Sequence, residues 1–138
     1  MTSEKQRPKF RKRFGQHFLQ DKRIIENIIS SINLKERDYV LEIGPGLGAL
    51  TEHLLQTNCQ LEAIEVDRDL AKELSGRFSK HPHFKLHIAD ALNFDYEAKK
   101  VKEGKIRVVG NLPYNISTQL IFRLFNVIDY FQDMHFML

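Results

Sequence analysis

A short stretch of polar and aromatic residues near the end of the chain has the composition of a base-binding site. Asn111, Pro113 and Tyr114 follow the apolar run 106–109 and its closing Gly110. An amide can hydrogen-bond the exocyclic amine of a planar base, and an aromatic ring can stack on its face. The same residue types are common in strand-to-helix turns, so this motif alone leaves a purely structural role equally open.

A glycine-rich loop lies upstream, at residues 42–48, between an apolar strand and a helix. Gly44 and Gly46 let the backbone approach a ligand, and Glu65, about twenty residues after Gly44, ends the next strand, where a carboxylate can bind both hydroxyls of a ribose. The Gly-x-Gly-x-Gly spacing departs from the dinucleotide-binding Gly-x-Gly-x-x-Gly. Glu42 would repel a pyrophosphate and attract the ammonium of a methionine moiety. The loop therefore fits S-adenosylmethionine better than NAD.

A third carboxylate follows the third predicted strand. Asp90 could accept a hydrogen bond from the amine of a cofactor adenine, and Ala91 and Leu92 could contact the ring. Any one such carboxylate is more often a helix cap or a solvated loop residue. Because Glu42, Glu65 and Asp90 follow three successive strands, whose ends meet at one edge of a parallel sheet, we interpret them together as one cofactor site.

The composition indicates a single globular domain. Of the 138 residues, 42% are hydrophobic, which suffices for a modest core, and 28% are charged. No apolar stretch approaches the roughly 20 residues of a membrane helix, and the N-terminal region is charged where a signal peptide would be apolar. The single cysteine excludes an internal disulfide. We expect a cytoplasmic, monomeric protein with no membrane partner.

Two further features carry no predicted chemistry. His81, His83 and His87 cluster around Pro82, but no cysteine supports a metal site there, and alternation along the strand predicts solvated positions. Cys59 lies in a predicted polar turn without an activating base. We therefore expect no metal.

Positive charge is concentrated at the start of the chain, although the net charge is only +3. Such a segment is a solvated tail, a transit peptide or an arm that contacts phosphates. The interleaved Phe10 and Phe14 could stack on bases and favour the arm, while Glu4 disfavours a transit peptide. We assign residues 1–20 to a basic arm. Its expected RNA-binding residues are Lys9, Arg11, Lys12 and Arg13.

Hydrophobic spacing predicts strands that alternate with helices after this arm. Asp21, Asp67 or Asp69, and Ser117 are expected to cap helices, and the polar segment 97–104 indicates a connection with a poorly formed helix. A helix is expected near 21–32, and three more are expected to carry apolar residues on one face within 47–55, 70–78 and 120–125, the last including Phe125. The expected strands are 39–43, 61–66, 84–88, 105–109 and 134–138.

This alternation implies an α/β fold with a mostly parallel sheet, helices on both faces, and ligands at the carboxyl ends of the strands. Residues 21–138 would form one catalytic domain. We expect that domain to be incomplete, since the chain stops on a strand with no helix to cover it.

Four stretches resemble the ribosomal RNA adenine dimethyltransferases: FGQHFL at 14–19, EIGPGLG at 42–48, EVDRDL at 65–70 and NLPYNIST at 111–118. NLPYNIST is the most specific of the four. The resemblance is closest to the small-subunit branch that is linked to kasugamycin sensitivity, because the erythromycin-resistance relatives usually carry isoleucine at the position of Leu112.

The resemblance implies the Rossmann-like fold of class I S-adenosylmethionine-dependent methyltransferases, truncated after its fifth strand. It also implies N6,N6-dimethylation of two adjacent adenosines in small-subunit ribosomal RNA, within a 30S-type particle. Family members continue into a small helical domain that helps to bind RNA, and that domain is not in this sequence.

The resemblance also assigns roles to individual residues. Asn111 and the carbonyl of Pro113 would bind the adenine amine, and Tyr114 would stack on the base. His17 departs from the family, in which many members carry asparagine. The implied cofactor-binding residues are His17, Leu19, Glu42, Gly44, Gly46, Glu65, Asp90, Ala91 and Asn111.

Two alternative functions remain open at this point. A DNA adenine methyltransferase would use a similar Asn-x-Pro-aromatic turn but usually has a separate target-recognition region. A non-catalytic nucleic-acid-binding factor could keep the same fold, although Glu42, Glu65, Asp90 and the turn at 111–114 argue against it.

Neutralising the basic residues between Lys5 and Arg13 should weaken RNA binding and flatten its salt dependence. Each lost phosphate contact is expected to lower the slope of log affinity against log salt concentration by about 0.7–0.9. Filter-binding titrations at several KCl concentrations measure this slope. An unchanged slope would identify the segment as a solvated tail.

Overall fold

The computed structural model describes residues 21–98, 105–112 and 115–137. The basic arm with His17 and Leu19, the pair Pro113 and Tyr114, and the connection 99–104 lie outside these ranges. No helix within them is long and apolar enough to span a membrane. In chain order the elements are α1 (Lys22–Ile32), β1 (Tyr39–Ile43), α2 (Ala49–Leu55), β2 (Gln60–Glu65), α3 (Arg68–Phe78), β3 (Phe84–Ile88), a 3₁₀ turn (Tyr96–Ala98), β4 (Ile106–Asn111), α4 (Ser117–Phe125), a second 3₁₀ turn (Ile128–Tyr130) and β5 (Phe131–Met137).

The five strands of the described part form one parallel sheet in the order β3-β2-β1-β4-β5. At its centre, Val40 of β1 is paired in register with Leu61 of β2 on one side and with Arg107 of β4 on the other. The strand order reverses between β1 and β4, and in such folds ligands bind outside the carboxyl ends of the strands at this point. The prediction of a parallel α/β sheet is confirmed.

The pleat of the strands divides the core between the two faces of the sheet. On one face, Val40 belongs to a buried cluster with Leu54 of α2, and α1 covers the same cluster. The next residue, Leu41, belongs to a cluster on the opposite face with Leu120 of α4 and the fully buried Tyr96. Consecutive strand residues thus reach opposite layers, so the sheet is buried on both faces.

Two of the predicted helix caps are confirmed. Asp21 and Asp67 each accept a hydrogen bond at 2.9 Å from the main-chain nitrogen two residues further on. The prediction that Ser117 caps α4 is wrong. Ile116 occupies the cap position, because its backbone is not yet helical at φ −120°, and Ser117 is the first helical residue. Phe125, which was expected on the buried face of this helix, is 51% exposed.

β5 begins at Phe131, earlier than the apolar pattern predicted. Asp133 interrupts that pattern and therefore obscured the start of the strand. In the structure its carboxylate lies 2.9 Å from the guanidinium of Arg107 on the neighbouring strand. Because this ion pair satisfies both charges, a polar residue can occupy a partly buried position in the sheet.

Arg107 holds together the amino-terminal edge of the sheet. Its guanidinium donates to Asp133 at 2.9 Å and to Asp38 at 3.1 Å, and also to the main-chain oxygens of Ile32 and Asn33 at the end of α1. Burial acts to raise the pKa of Asp133, but hydrogen bonding to Arg107 holds it below its usual value. The arginine thus connects α1, β1, β4 and β5 at the edge opposite the carboxyl ends of the strands.

Substituting Gly110 should test the close approach of β4 to β1. A Cβ atom at Gly110 would lie 2.7 Å from the main-chain oxygen of Ile43. We expect Gly110→Ala to lower the free energy of unfolding by about 1–3 kcal/mol, as overpacking does. Urea denaturation measures this change.

Gly76→Ala is the matched control for Gly110→Ala. Gly76 lies inside α3, and a Cβ atom there would meet nothing within 4 Å. Alanine at this position should raise the free energy of unfolding by about 0.5–1 kcal/mol through its better helix propensity. A stabilising effect at both positions would contradict the proposed steric limit at Gly110.

Candidate functional site

A cleft opens at the carboxyl ends of the strands, next to the point where the strand order reverses. Its walls come from the ends of β1, β2 and β4, from the turn after β3 and from the start of α4. Residues that are distant in the sequence meet there because the strands are parallel. The sequence-predicted residues that line the cleft are Gly44, Glu65, Asp90, Ala91, Leu92 and Asn111.

The glycine loop after β1 has a backbone conformation that other residues rarely adopt. The φ angles are +68° at Gly44, +59° at Gly46 and +84° at Gly48. The main-chain nitrogen of Gly44 donates to the oxygen of Ile64 at 2.9 Å, which holds the start of the loop against β2. A Cβ atom at Gly48 would lie 2.8 Å from the side chain of Leu74. The loop is therefore confined between the sheet and α3.

Glu65 ends β2 and connects the glycine loop to the start of α3. Its Oε1 atom accepts a hydrogen bond from the nitrogen of Gly46 at 3.0 Å, and its Oε2 atom accepts one from the nitrogen of Asp67 at 2.9 Å. The side chain is buried, and this burial raises the pKa of the carboxyl group. Each carboxylate oxygen can accept a further hydrogen bond, so binding of ribose hydroxyls stays a prediction that this geometry permits.

Glu42 lies behind the glycine loop rather than among the described residues that line the cleft. It is 2% exposed, and the hydroxyl of Thr51 on α2 donates to its Oε1 atom at 2.6 Å. Burial raises the pKa of Glu42 to about 8, although the hydrogen bond from Thr51 acts to lower it. The carboxyl group is therefore mostly neutral near pH 7. Its predicted attraction for an ammonium group stays a prediction, and this position does not favour direct contact.

Asp90 lies on another wall of the cleft, in a tight turn after β3. Its Oδ1 atom accepts a hydrogen bond from the nitrogen of Leu92 at 2.9 Å, and its main-chain oxygen accepts one from the nitrogen of Asn93 at 3.0 Å. The residue is exposed, while the neighbouring Ala91 is buried. The carboxylate is thus an available acceptor, and its contact with an adenine amine stays a prediction.

Asn111 is the last residue of β4 and lies beside the glycine loop. Its main-chain oxygen would be 3.5 Å from a Cβ atom at Gly44, and the nitrogen of Leu112 donates to the oxygen of Met137 at 3.0 Å. Its side-chain Nδ2 atom is buried and has no hydrogen-bond partner in the described part of the chain. A buried donor without a partner lowers the free energy of unfolding by about 1–3 kcal/mol. The partner of this Nδ2 atom must come from outside the described residues, either from the neighbouring turn or from a ligand.

The cleft region also contains residues that the sequence did not single out. Val66, Asn115 and Ile116 line the cleft, and Arg77 of α3 donates to the main-chain oxygen of Leu47 in the glycine loop. Asn115 and Ile116 belong to the NLPYNIST stretch, which could have indicated them. No local sequence pattern predicts the contact of Arg77, because that contact depends on how α3 packs against the glycine loop.

The histidines and the cysteine have structural contacts. His87 lies 2.6 Å from a carboxylate oxygen of Glu62, and His83 lies 2.9 Å from the amide nitrogen of Gln60. The expectation that these histidines are solvated is wrong, since both are partly buried against β2. Cys59 is also buried rather than in an exposed turn, and burial raises the pKa of its thiol.

The sheet order and the cleft define a class I methyltransferase fold, and comparisons with known proteins identify the family. A family model described as "Ribosomal RNA adenine dimethylase" matches residues 7–138. The chain therefore belongs to the ribosomal RNA adenine dimethylase family. The resemblance and the fold class predicted from the sequence are both confirmed.

Individual proteins show how far this similarity extends. A relative from Marinobacter nauticus, "Ribosomal RNA small subunit methyltransferase A", is 53% identical over 93% of this chain and 46% of its own length. The crystal structure of a dimethyladenosine transferase from Plasmodium falciparum has a TM-score of 0.68 at 29% identity, covering 80% of this chain and 39% of that one.

A more distant structure shares the fold alone. Coclaurine N-methyltransferase, bound to N-methylheliamine and S-adenosylhomocysteine, has a TM-score of 0.64 at 16% identity, covering 79% of this chain and 32% of that one. The present chain spans about half the length of the curated relatives it matches.

Replacing Glu42 by glutamine should change how stability depends on pH. The folded protein holds the Glu42 proton up to a pKa of about 8, whereas the unfolded chain releases it near the ordinary glutamate pKa of 4.5. Between these values, this group lowers the free energy of unfolding of the wild type by about 1.4 kcal/mol per pH unit as the pH rises. Urea denaturation at pH 5, 7 and 9 should show that Glu42→Gln lacks this decrease.

The control for Glu42→Gln is Glu97→Gln, because Glu97 is an exposed glutamate in the 3₁₀ turn. It should leave the pH dependence of the wild type unchanged. If Glu42→Gln also followed the wild-type curve, Glu42 would not be the buried acid described above.

Proposed function

We propose that this chain is the cofactor-binding and base-binding half of an enzyme that methylates adenosines in small-subunit ribosomal RNA with S-adenosylmethionine. The observation that carries the proposal is the cleft at the carboxyl ends of the strands, which brings Glu65, Asp90 and Asn111 together. The family match and the 53% identity to the relative from Marinobacter nauticus support the same substrate class.

The polar groups of the cleft fit S-adenosylmethionine. Glu65 would accept hydrogen bonds from the ribose hydroxyls, Asp90 would accept one from the adenine amine, and Leu92 would contact the ring. A fold neighbour contains S-adenosylhomocysteine, the product of such a transfer, which supports this cofactor. When bound, the cofactor supplies an electrophilic methyl group. His17 and Leu19 are proposed to complete its binding from the N-terminal segment.

The turn after β4 would activate the base. An adenine amine is a poor nucleophile because its lone pair is delocalised into the ring. Hydrogen bonds from the amine to the side-chain oxygen of Asn111 and to the carbonyl of Pro113 or Leu112 would favour a pyramidal nitrogen with a localised lone pair. Tyr114 would stack on the extruded base and stabilise it by about 1–3 kcal/mol. No general base is required, since the amine becomes acidic once it is alkylated.

The proposed target is a pair of adjacent adenosines in the 3′-terminal hairpin of small-subunit ribosomal RNA, modified to N6,N6-dimethyladenosine during ribosome biogenesis. The substrate would be a 30S-type particle, whose phosphates the basic arm contacts. A cytoplasmic location and a monomeric state are part of the same proposal. The arm residues assigned to this contact are Lys9, Arg11, Lys12 and Arg13.

Methyl transfer to defined substrates tests this proposal. A full-length counterpart is incubated with methyl-labelled S-adenosylmethionine and small-subunit particles that lack the modification, and the modified nucleotides are mapped by mass spectrometry. We expect dimethyladenosine at two adjacent positions. Incorporation into duplex DNA alone would identify a DNA adenine methyltransferase. Absence of cofactor binding in calorimetry would identify a non-catalytic nucleic-acid-binding factor.

Asn111→Ala should separate cofactor binding from catalysis. In the full-length protein we expect affinity for S-adenosylmethionine to stay within a few-fold of the wild type. Methyl transfer should fall by at least about a hundredfold, the effect typical of removing a polar group that acts on the reacting atoms. Calorimetry and a single-turnover transfer assay measure the two quantities.

Asn126→Ala is the control for Asn111→Ala, since Asn126 is an exposed asparagine at the other end of α4. Its transfer rate should equal that of the wild type. Unchanged turnover in Asn111→Ala would remove Asn111 from the mechanism.

A further inference from the structure

A buried tyrosine, Tyr96, is hydrogen-bonded to the turn that contains Asp90. Tyr96, in the 3₁₀ turn, is fully buried, and its hydroxyl donates to the main-chain oxygen of Ala91 at 2.6 Å. Ala91 directly follows Asp90, and both residues line the cleft. This hydrogen bond therefore connects the core to the proposed adenine-binding turn.

The ring of Tyr96 alone would satisfy the packing at this position. It contacts Phe94 edge-to-face at a centroid distance of 5.2 Å and Phe131 at 6.0 Å, so its surroundings are aromatic and apolar. A hydroxyl in such a core must be hydrogen-bonded to be tolerated. Burial raises the pKa of Tyr96, so the group stays a neutral donor. The distinct contribution of the hydroxyl is thus its bond to Ala91.

Arg123 of α4 also contacts the segment between β3 and the 3₁₀ turn of Tyr96. Arg123 donates to the main-chain oxygen of Phe94 at 3.2 Å, and its guanidinium carbon lies 5.3 Å from the centre of the Tyr96 ring. The residues just before α4, Asn115 and Ile116, line the cleft. Tyr96 and Arg123 therefore link the turn after β3 to the helix that follows the proposed base-binding turn.

We propose that Tyr96 is a positioning residue of the cofactor cleft, whose hydroxyl fixes the Ala91 carbonyl and thereby directs the Asp90 carboxylate toward an adenine amine. The inference rests on the proposed S-adenosylmethionine site and adds a determinant of its specificity for adenine. Without the hydroxyl, the Ala91 carbonyl loses its donor. The turn in which Asp90 accepts from the nitrogen of Leu92 can then rotate, while the ring still fills the core.

The test is Tyr96→Phe, which removes one oxygen atom and keeps the ring. The probes are S-adenosylhomocysteine and S-inosylhomocysteine, in which a carbonyl replaces the adenine amine. Calorimetry on the wild-type chain should show a preference for the adenosyl ligand, because its amine donates to Asp90, whereas the inosyl carbonyl at the same position is an acceptor that the carboxylate repels. In Tyr96→Phe we expect this preference to fall about three- to tenfold, the equivalent of one neutral hydrogen bond.

Thr57→Val is the matched control. The hydroxyl of Thr57 donates to the main-chain oxygen of Leu54 at 2.7 Å after the end of α2, and Thr57 is not among the described residues that line the cleft. This variant deletes the same kind of hydrogen bond. It should leave the ratio of the two affinities unchanged even if it lowers the melting temperature, because a general loss of stability does not discriminate between the two ligands.

The outcomes separate this inference from the proposed function. Full retention of the preference in Tyr96→Phe overturns the inference and leaves the cofactor site intact. A wild-type chain that binds both ligands equally overturns the role of Asp90 and the inference with it. A wild-type chain that binds neither overturns the proposed cofactor as well. If Tyr96→Phe does not fold, Tyr96→Met removes the same hydroxyl with a flexible apolar side chain, and an unchanged preference in that variant overturns the inference.

Discussion

The carboxylate of Glu65 holds together two segments beside the cleft, the glycine loop and the start of α3. Its two oxygens accept hydrogen bonds from Gly46 in the glycine loop and from Asp67 at the start of α3, so one side chain at the end of β2 sets the positions of both. Because Glu65 is only 3% exposed, water competes weakly for these bonds. The loop needs this support, since its glycines adopt left-handed conformations that no regular element stabilises.

The two edges of the sheet use polar groups in opposite ways. At the amino-terminal edge, Arg107 is paired with Asp38 and Asp133, so the charges there satisfy one another and stabilise the junction of the strands with α1. At the carboxyl edge, Asn111 has a buried nitrogen with no partner among the described residues, and Asp90 is exposed. These polar groups lie where a parallel α/β sheet binds its ligands.

Much of the fold could be predicted because its signals are local. A cap such as Asp67 acts on the next few residues, and apolar strands buried on both faces are visible as short hydrophobic runs. The sequence predictions failed where contact with a distant segment allows a residue to be buried that local patterns place in solvent. Asp133 obscured the start of β5 because its partner Arg107 lies on another strand, and Cys59 looked like a turn residue although packing buries it completely.

The sequence by itself determined which residue types reach the site and in what order, because parallel strands bring their carboxyl ends to one edge whatever connects them. Tertiary structure decided what each residue does there. It placed Glu42 behind the glycine loop, where Thr51 donates to it. Both carboxylate oxygens of Glu65 accept hydrogen bonds from backbone amides, and the hydroxyl of Tyr96 donates to the turn that contains Asp90. These outcomes depend on side-chain direction and on contacts between distant segments, and periodicity and spacing along the chain contain neither.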